Sequence, residues 1–169
     1  MDQSLKKEVR YLFCGCELFL DLSMKLYLDV CCLNRPFDDQ TQDRVHLEAE
    51  AVLSILRHLE ENTWAWVSSS VVLYEVNQIP NDDRKHRILR LCDKASYVIK
   101  MNEDISAISE KLKKLGFKTY DALHLACANV AGVDVFLSTD DKLVKKARNN
   151  KDLPNMLIDN PLKWIQNIW

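Results

Sequence analysis

The apolar run Lys25-Leu-Tyr-Leu-Asp29 ends in an acidic side chain and leads into a second apolar run, Val-Cys-Cys-Leu33. A short continuous apolar run of this kind predicts a strand that is buried on both faces, as in a parallel sheet. A carboxylate in those surroundings is costly unless it is paired or bound to a metal ion. Asp29 is therefore the strongest single signal of a site, and the alternative is an aspartate that caps the following loop.

Further apolar runs alternate with segments of helical period along the chain. The spacing predicts strands at residues 25–30, 64–67, 95–99, 134–137 and 156–158. It predicts helices at residues 42–59, 81–92, 103–115 and 140–149, from Ser68-Ser-Ser through Glu75, from a cap at Thr119 to Ala131, and after Asn160-Pro161. This alternation implies parallel βαβ units, and we expect an α/β fold with three layers around a mostly parallel central sheet. Such sheets carry their sites beyond the carboxyl ends of the strands.

Length and composition indicate one globular domain. The chain has 169 residues, of which 47% are hydrophobic and 28% charged, and glycine and proline are scarce. The six cysteines form no C-x-x-C pair, so we expect free thiols and a reducing, cytoplasmic setting. We assign residues 24–169 to the domain and residues 1–23 to an N-terminal extension that does not belong to the fold. Glu17 and Asp21 interrupt the apolar part of that extension, which is too short to span a bilayer, and we expect no membrane partner.

Three further acids fall where an α/β sheet places its sites. Glu75 lies among apolar residues of the helix after the second strand, Asp121 opens a helix, and Asp140 follows the fourth strand. The helix dipole or an N-cap would account for Asp121 or Asp140 singly, and most helix glutamates are solvated. These explanations do not account for the recurrence of acids at one kind of position. Carboxylates are the hard ligands that suit Mg²⁺ or Mn²⁺, so these three and Asp29 are candidate ligands for phosphodiester hydrolysis.

Basic side chains near these acids are candidates for binding nucleic-acid phosphates. Arg35 follows the first strand, and Lys142, Lys145 and Lys146 share a face of the helix after the fourth strand. An ordinary solvated face accounts for the lysines equally well. The formal net charge of −2 gives no overall attraction to nucleic acid, but it becomes +2 when the four proposed ligands are set aside. We assign Asp38 to a solvated turn and not to the metal site.

Together these strings resemble a PIN domain. The matching pieces are Asp29-Val-Cys-Cys-Leu-Asn-Arg-Pro-Phe-Asp-Asp39, Glu75 in the second main helix, Tyr120-Asp-Ala-Leu-His-Leu-Ala126 and Ser138-Thr-Asp-Asp-Lys-Leu143. The resemblance runs from about Met24 to the C-terminus. Many members have Ser or Thr two residues after the first Asp, whereas Cys31, a weaker hydrogen-bond donor, occupies that place here. His124 lies on the same helix face as Asp121, and it is either a ligand, a partner of a ligand or a structural histidine.

The resemblance implies a Mg²⁺- or Mn²⁺-dependent endoribonuclease in which Asp29, Glu75, Asp121 and Asp140 bind the metal. It also implies a homodimer that acts as the toxin of a toxin–antitoxin pair, with RNA and a cognate antitoxin as partners. One alternative is a PIN-like module that binds RNA or protein without cleaving. The other is a phosphoryl-transfer receiver domain, which needs a paired acid cluster before an early strand and a lysine after a late one. Neither occurs here at convincing spacing.

Overall fold

The structure is a computed structural model that describes residues 24–150, 153 and 156–168, and the predicted extension of residues 1–23 lies outside them. In this part of the chain one five-stranded, all-parallel sheet has the order β3-β2-β1-β4-β5. The strands are β1 (Lys25–Leu28), β2 (Ala65–Ser69), β3 (Tyr97–Ile99), β4 (Val135–Leu137) and β5 (Leu157–Asp159). Helices cover both faces of the sheet, which confirms the predicted three-layer α/β fold.

The helices follow the predicted segments, with one addition. They are α1 (Val30–Asn34), α2 (Asp43–Glu60), α3 (Ser70–Asn77), α4 (Asp82–Cys92), α5 (Glu103–Lys114), α6 (Thr119–Val130), α7 (Asp141–Arg148) and α8 (Pro161–Ile168). The sequence did not predict α1, or the 3₁₀ turn Arg35–Phe37 that follows it. Both are shorter than the window in which helical periodicity can be recognised. Because α1 begins at Val30, the strand predicted to reach that residue ends at Leu28 instead.

Several helix ends have the capping residues that the sequence indicates. Ser69 accepts a hydrogen bond from the Val72 backbone N–H at 3.1 Å and so begins α3. Gly116 ends α5 with a positive φ of 84°, a conformation that L side chains rarely adopt. The predicted cap at Thr119 is wrong, because α6 already includes Thr119 and the preceding Lys118 makes no side-chain capping bond.

The core is built from the strands and the helix faces that cover them. Tyr27, at the centre of the sheet, is fully buried and stacks on Phe136 of the neighbouring strand with ring centroids 5.4 Å apart. Trp66 and Trp164 are also buried, and Trp64 packs edge-on against Trp164 at 5.0 Å. These three tryptophans therefore serve in packing, as the sequence suggests, and Trp169 lies outside the described residues.

The strand order predicts where a site lies along the carboxyl ends of the strands. The chain passes from β1 to β2 and β3 on one side, and later returns to β4 and β5 on the other side of β1. The carboxyl ends of β1 and β4 therefore meet where the strand order reverses, which is where open α/β sheets bind ligands. The backbone N–H of Asp29 donates to Leu137 O at 3.0 Å, so the segments that follow β1 and β4 start side by side.

Candidate functional site

Asp29 lies directly beyond β1 and is 8% exposed. It occupies the N-cap position of α1, but its side chain makes no capping bond. Its Oδ2 instead accepts hydrogen bonds from Ser138 Oγ at 2.7 Å and from Cys31 Sγ at 3.1 Å. The carboxylate is therefore held in place by side chains and accepts no backbone N–H of α1, so Asp29 does not serve as a cap.

Ser138 joins the acids that follow β1 and β4. Its hydroxyl donates to Asp29 and accepts the backbone N–H of Asp140 at 3.1 Å. Cys31 adds a second link, because its sulfur accepts the backbone N–H of Thr139 at 3.2 Å and lies 3.2 Å from Ser138 Oγ. The hydroxyl support expected two residues after Asp29 thus comes from Ser138, which sequence reasoning missed.

Asp140 is the N-cap of α7, as one reading of the sequence suggested. Its Oδ1 accepts the backbone N–H groups of Lys142 at 2.8 Å and Leu143 at 3.2 Å. This capping role fixes the side chain at the mouth of the site and leaves Oδ2 for another partner. The next residue, Asp141, is exposed and pairs with Arg44 at 2.7 Å, so it faces α2 instead.

Asp121 stands in the first turn of α6 and is half-buried. Burial raises the pKa of its carboxyl above the usual value, and the negative charges of Asp29 and Asp140 raise it further. Lys118 and His124 act in the opposite direction without cancelling the effect. Three of the four predicted acids are therefore close enough to repel one another, and a cation between them would relieve that repulsion.

Glu75, on α3, reaches the same region through a buried histidine. His124 of α6 is 1% exposed, and its Nε2 lies 2.9 Å from Glu75 Oε2 and 3.8 Å from Asp29 Oδ1. Burial alone would lower the pKa of His124, but the hydrogen bond with Glu75 and the charges of Asp29, Glu75 and Asp121 raise it overall. All four sequence-predicted acids thus lie at the carboxyl-terminal edge of the sheet, with His124 as an additional member that touches two of them.

A sequence profile of the PIN domain family matches residues 26–149, which include these four acids. The chain belongs to the PIN domain family. Among solved structures, VapBC-1 from nontypeable Haemophilus influenzae resembles it with a TM-score of 0.52 and 19% identity, over 82% of this chain and 98% of that one. VapBC2 from Rickettsia felis, bound to a DNA fragment from its promoter, gives a TM-score of 0.51 and 16% identity, over 81% and 98%. At these identities the likeness shows the fold, and no curated protein matches the chain.

The carboxylates of this PIN domain suit a divalent cation in their chemistry, but they do not form a closed cage. In the residues that the structure describes, no three His, Cys, Asp or Glu side chains converge tightly enough to ligate one ion. Mg²⁺ commonly keeps several waters and takes only one or two carboxylates directly, so an open arrangement of hard oxygen ligands fits it. The raised pKa of the Asp121 carboxyl also indicates that negative charges lie close together at this site.

The candidate phosphate-binding residues have different surroundings. Arg35 lies 3.0 Å from Glu48 and 3.2 Å from Asp38, so two carboxylates already neutralise its charge. Asp38 lies in a bend with its side chain 31% exposed, as the predicted solvated turn implies, but it also pairs with Arg84 at 3.1 Å, which the sequence did not predict. By contrast, the side chains of Lys142 and Lys145 are exposed on α7, next to Asp140.

The PIN domain also exposes two aromatic side chains at its acidic rim. Tyr74 and Tyr120 are 58% and 40% exposed, and their rings lie 6.4 Å apart at an angle of 26°. Each immediately precedes an acid of the site in sequence, namely Glu75 and Asp121. Tyr120 is part of a recognisable motif, but nothing in the sequence indicates that it meets Tyr74.

Glu75, Asp121 and Asp140 are partly exposed, so the acidic rim is open to solvent, whereas Asp29 is buried. A groove of about 470 Å³ runs beneath β3, is lined in part by Lys25 and Ala131, and contains none of the four acids. An open rim suits a polymer that must pass across the site.

The described part of the chain contains no helix that is both long and apolar enough to cross a membrane.

Proposed function

We propose that this PIN domain is a Mg²⁺- or Mn²⁺-dependent endoribonuclease that acts as the toxin of a toxin–antitoxin pair. The observation that carries the proposal is the group of carboxylates beyond the carboxyl ends of the strands. Asp29 there is buried, and the pKa of Asp121 is raised by burial and by the charges of Asp29 and Asp140. Asp29, Glu75, Asp121 and Asp140 would together hold the ion, one or two of them directly and the others through its water molecules. When bound, such an ion activates a water and stabilises the oxygens of an in-line displacement at phosphorus.

The protein's own side chains would organise this reaction. Ser138 and Cys31 hold Asp29 through Oδ2, which leaves its second oxygen for the ion. The capping bonds of Asp140 hold that carboxylate at the mouth of the site in the same way. Preorganised groups of this kind do not have to reorient when charge develops during the reaction, which is the general basis of electrostatic catalysis.

RNA in single-stranded form is the substrate that the rim favours. Lys142 and Lys145 would contact phosphates, and Tyr74 and Tyr120 offer aromatic surface on which an unpaired base can stack. Replacing both lysines by alanine should weaken RNA binding and reduce the salt dependence of binding by about one unit of slope for each lysine. An unchanged salt slope would remove these lysines from the proposed path, while Arg35 remains occupied by Glu48 and Asp38.

An antitoxin partner is proposed from the solved structures that this chain resembles, because VapBC-1 and VapBC2 are such pairs. We propose that this protein has a cognate antitoxin, forms a homodimer and resides in the cytoplasm, where RNA and the antitoxin would both be present. Expression of the chain alone should arrest growth of a bacterial host, and co-expression of a small protein encoded beside its gene should relieve the arrest. Normal growth on expression of an active, soluble chain would argue against the toxin role.

Cleavage of a labelled panel of single-stranded RNAs tests the enzymatic part directly. We expect cleavage with Mg²⁺ or Mn²⁺ and none with EDTA. The alternative is a PIN-like module that binds RNA or protein without cleaving it. Retention of labelled RNA in a binding assay, with no cleavage at any metal concentration, would establish that alternative.

A further inference from the structure

A chain of hydrogen bonds leads from the interior of the sheet to the candidate metal site. Tyr27 is fully buried, and its hydroxyl lies 2.7 Å from Ser69 Oγ and 2.8 Å from His124 Nδ1. The other ring nitrogen of His124, Nε2, lies 2.9 Å from Glu75 Oε2. The chain therefore runs from the residue that caps α3, through strand β1 and helix α6, back to a carboxylate on α3.

When Glu75 is ionised, the proton on His124 Nε2 faces it whether the histidine ring is neutral or charged. An ionised carboxylate is only an acceptor, so Nε2 carries a proton in the bond between them. In the neutral imidazole Nδ1 is then an acceptor and takes the Tyr27 hydroxyl proton. In the imidazolium Nδ1 donates to Tyr27, which can donate in turn to Ser69. The bond from His124 to Glu75 is thus kept whatever the charge of the ring.

Three elements that carry candidate ligands are joined by this pair of residues. Tyr27 lies on β1 two residues before Asp29, and His124 lies on α6 three residues after Asp121. Glu75 on α3 receives the bond directly. The His124 ring also approaches Asp29 Oδ1 at 3.8 Å, so one N–H edge faces two carboxylates that would otherwise repel each other.

The last bond of the chain satisfies the buried Nε2–H of His124, but the Glu75 carboxylate does not need that bond. The Glu75 side chain is 34% exposed, so water can solvate its carboxylate without help from a fully buried histidine. What the bond adds is direction, because it fixes one oxygen of Glu75 against a ring that is itself locked by Tyr27. The T-shaped packing of the Tyr27 and His124 rings, 5.8 Å between centroids, restricts the imidazole further.

We propose that Tyr27 and His124 are positioning residues for the metal: they orient the Glu75 carboxylate and join its helix to the elements that bear Asp29 and Asp121. This inference rests on the proposed function, since it assumes that these acids bind metal. Groups that orient metal ligands commonly account for about 10- to 100-fold in metal affinity. The pair should therefore control the affinity for Mn²⁺ more than the stability of the fold.

Mn²⁺ binding to the full-length protein, measured by electron paramagnetic resonance without RNA, tests the inference. Tyr27→Phe keeps the ring and its packing but removes the hydroxyl that holds Nδ1, and we expect its Mn²⁺ affinity to fall about 10-fold or more. His124→Leu should lose at least as much, and His124→Gln should recover part of the loss, because its amide can still donate to Glu75. Ser109→Ala is the matched control. It removes another buried hydroxyl, one that donates to Ser106 O within α5 and contacts none of the four acids or His124 in a hydrogen bond among the described residues.

A second measurement separates positioning from a purely structural role. RNA cleavage by Tyr27→Phe should be restored towards the wild-type rate by raised Mg²⁺ concentration, whereas a loss caused by partial unfolding would not respond to metal in this way. If folded Tyr27→Phe and His124→Gln bind Mn²⁺ as tightly as wild type, the positioning role is refuted and the proposed nuclease stands. If wild type itself binds no Mn²⁺, the proposed metal site fails and the positioning role fails with it.

Discussion

Asp29→Asn is the substitution that most directly tests the proposed site. It keeps the size of the side chain and removes one negative charge. Ser138 Oγ and Cys31 Sγ both donate to Oδ2, so the oxygen of the new amide should take that place. The amide nitrogen then falls where Oδ1 was, on the side that faces His124 and the other acids. An N–H group at that position cannot ligate a cation, so the ion loses both a charge and a ligand atom.

Asp29→Asn should change the cleavage rate much more than the stability of the fold. Cleavage at saturating Mg²⁺ should fall on the order of 10²-fold or more, by analogy with other disrupted metal sites. Exchanging charge-assisted hydrogen bonds for neutral ones costs about 1 kcal/mol, and relief of the repulsion with Asp121 offsets part of that. We therefore expect the free energy of unfolding of the metal-free protein to change by at most about 1 kcal/mol, or about 4 °C in Tm.

The assay compares initial cleavage rates on one RNA substrate with thermal unfolding in EDTA. Asp104→Asn is the matched control, since Asp104 is an exposed carboxylate in the first turn of α5 and should leave the rate unchanged. Wild-type cleavage by Asp29→Asn would refute the four-carboxylate site. A Tm loss far larger than about 4 °C would show instead that Asp29 is needed for folding, and the rate would then carry no information about metal.

Three other predictions follow from the same contacts. Asp121→Asn should stabilise the metal-free protein at about pH 7 but not at about pH 3.5. Because the folded-state pKa of Asp121 lies above the usual 3.8, its carboxyl contributes to stability at a pH below 3.8, and this contribution is lost as the pH rises. A stability difference that stays constant over this range would contradict the raised pKa. EDTA should abolish cleavage and leave far-UV circular dichroism unchanged, because the core is apolar; unfolding would show a structural metal. Glu48→Gln should lower the free energy of unfolding by about 3 kcal/mol, or the Tm by about 6 to 12 °C in calorimetry, since buried Glu48 pairs with Arg35 and Arg44. A Tm shift under about 2 °C would show that these ion pairs contribute little to stability.

The sequence predicted the positions of the acids because each depends on local pattern. A short apolar run followed by an acid places Asp29 at the end of a strand, and the same logic places Asp140 beyond the fourth strand. Helix-start chemistry identified Asp121. Each of these patterns involves residues that are close together in the sequence, so it can be recognised without knowledge of the fold.

The partners of those acids could not be predicted in the same way. Ser138 reaches Asp29 across 109 residues of sequence, and Tyr27 reaches His124 across 97. Asp38 was assigned to solvent because its pairing with Arg84 joins segments 46 residues apart. Such contacts are fixed by strand order and helix packing, which periodicity does not specify.

His124 shows that a structural and a functional histidine are not exclusive alternatives. It lies on an apolar helix and is buried. Yet burial is also what makes its bond to Glu75 directional, because a ring locked between Tyr27 and the core can offer its N–H to only one place. A solvent-exposed histidine could not impose that geometry, since water would compete for both nitrogens. The apolar surroundings that bury the ring are therefore the physical basis for the proposed positioning role.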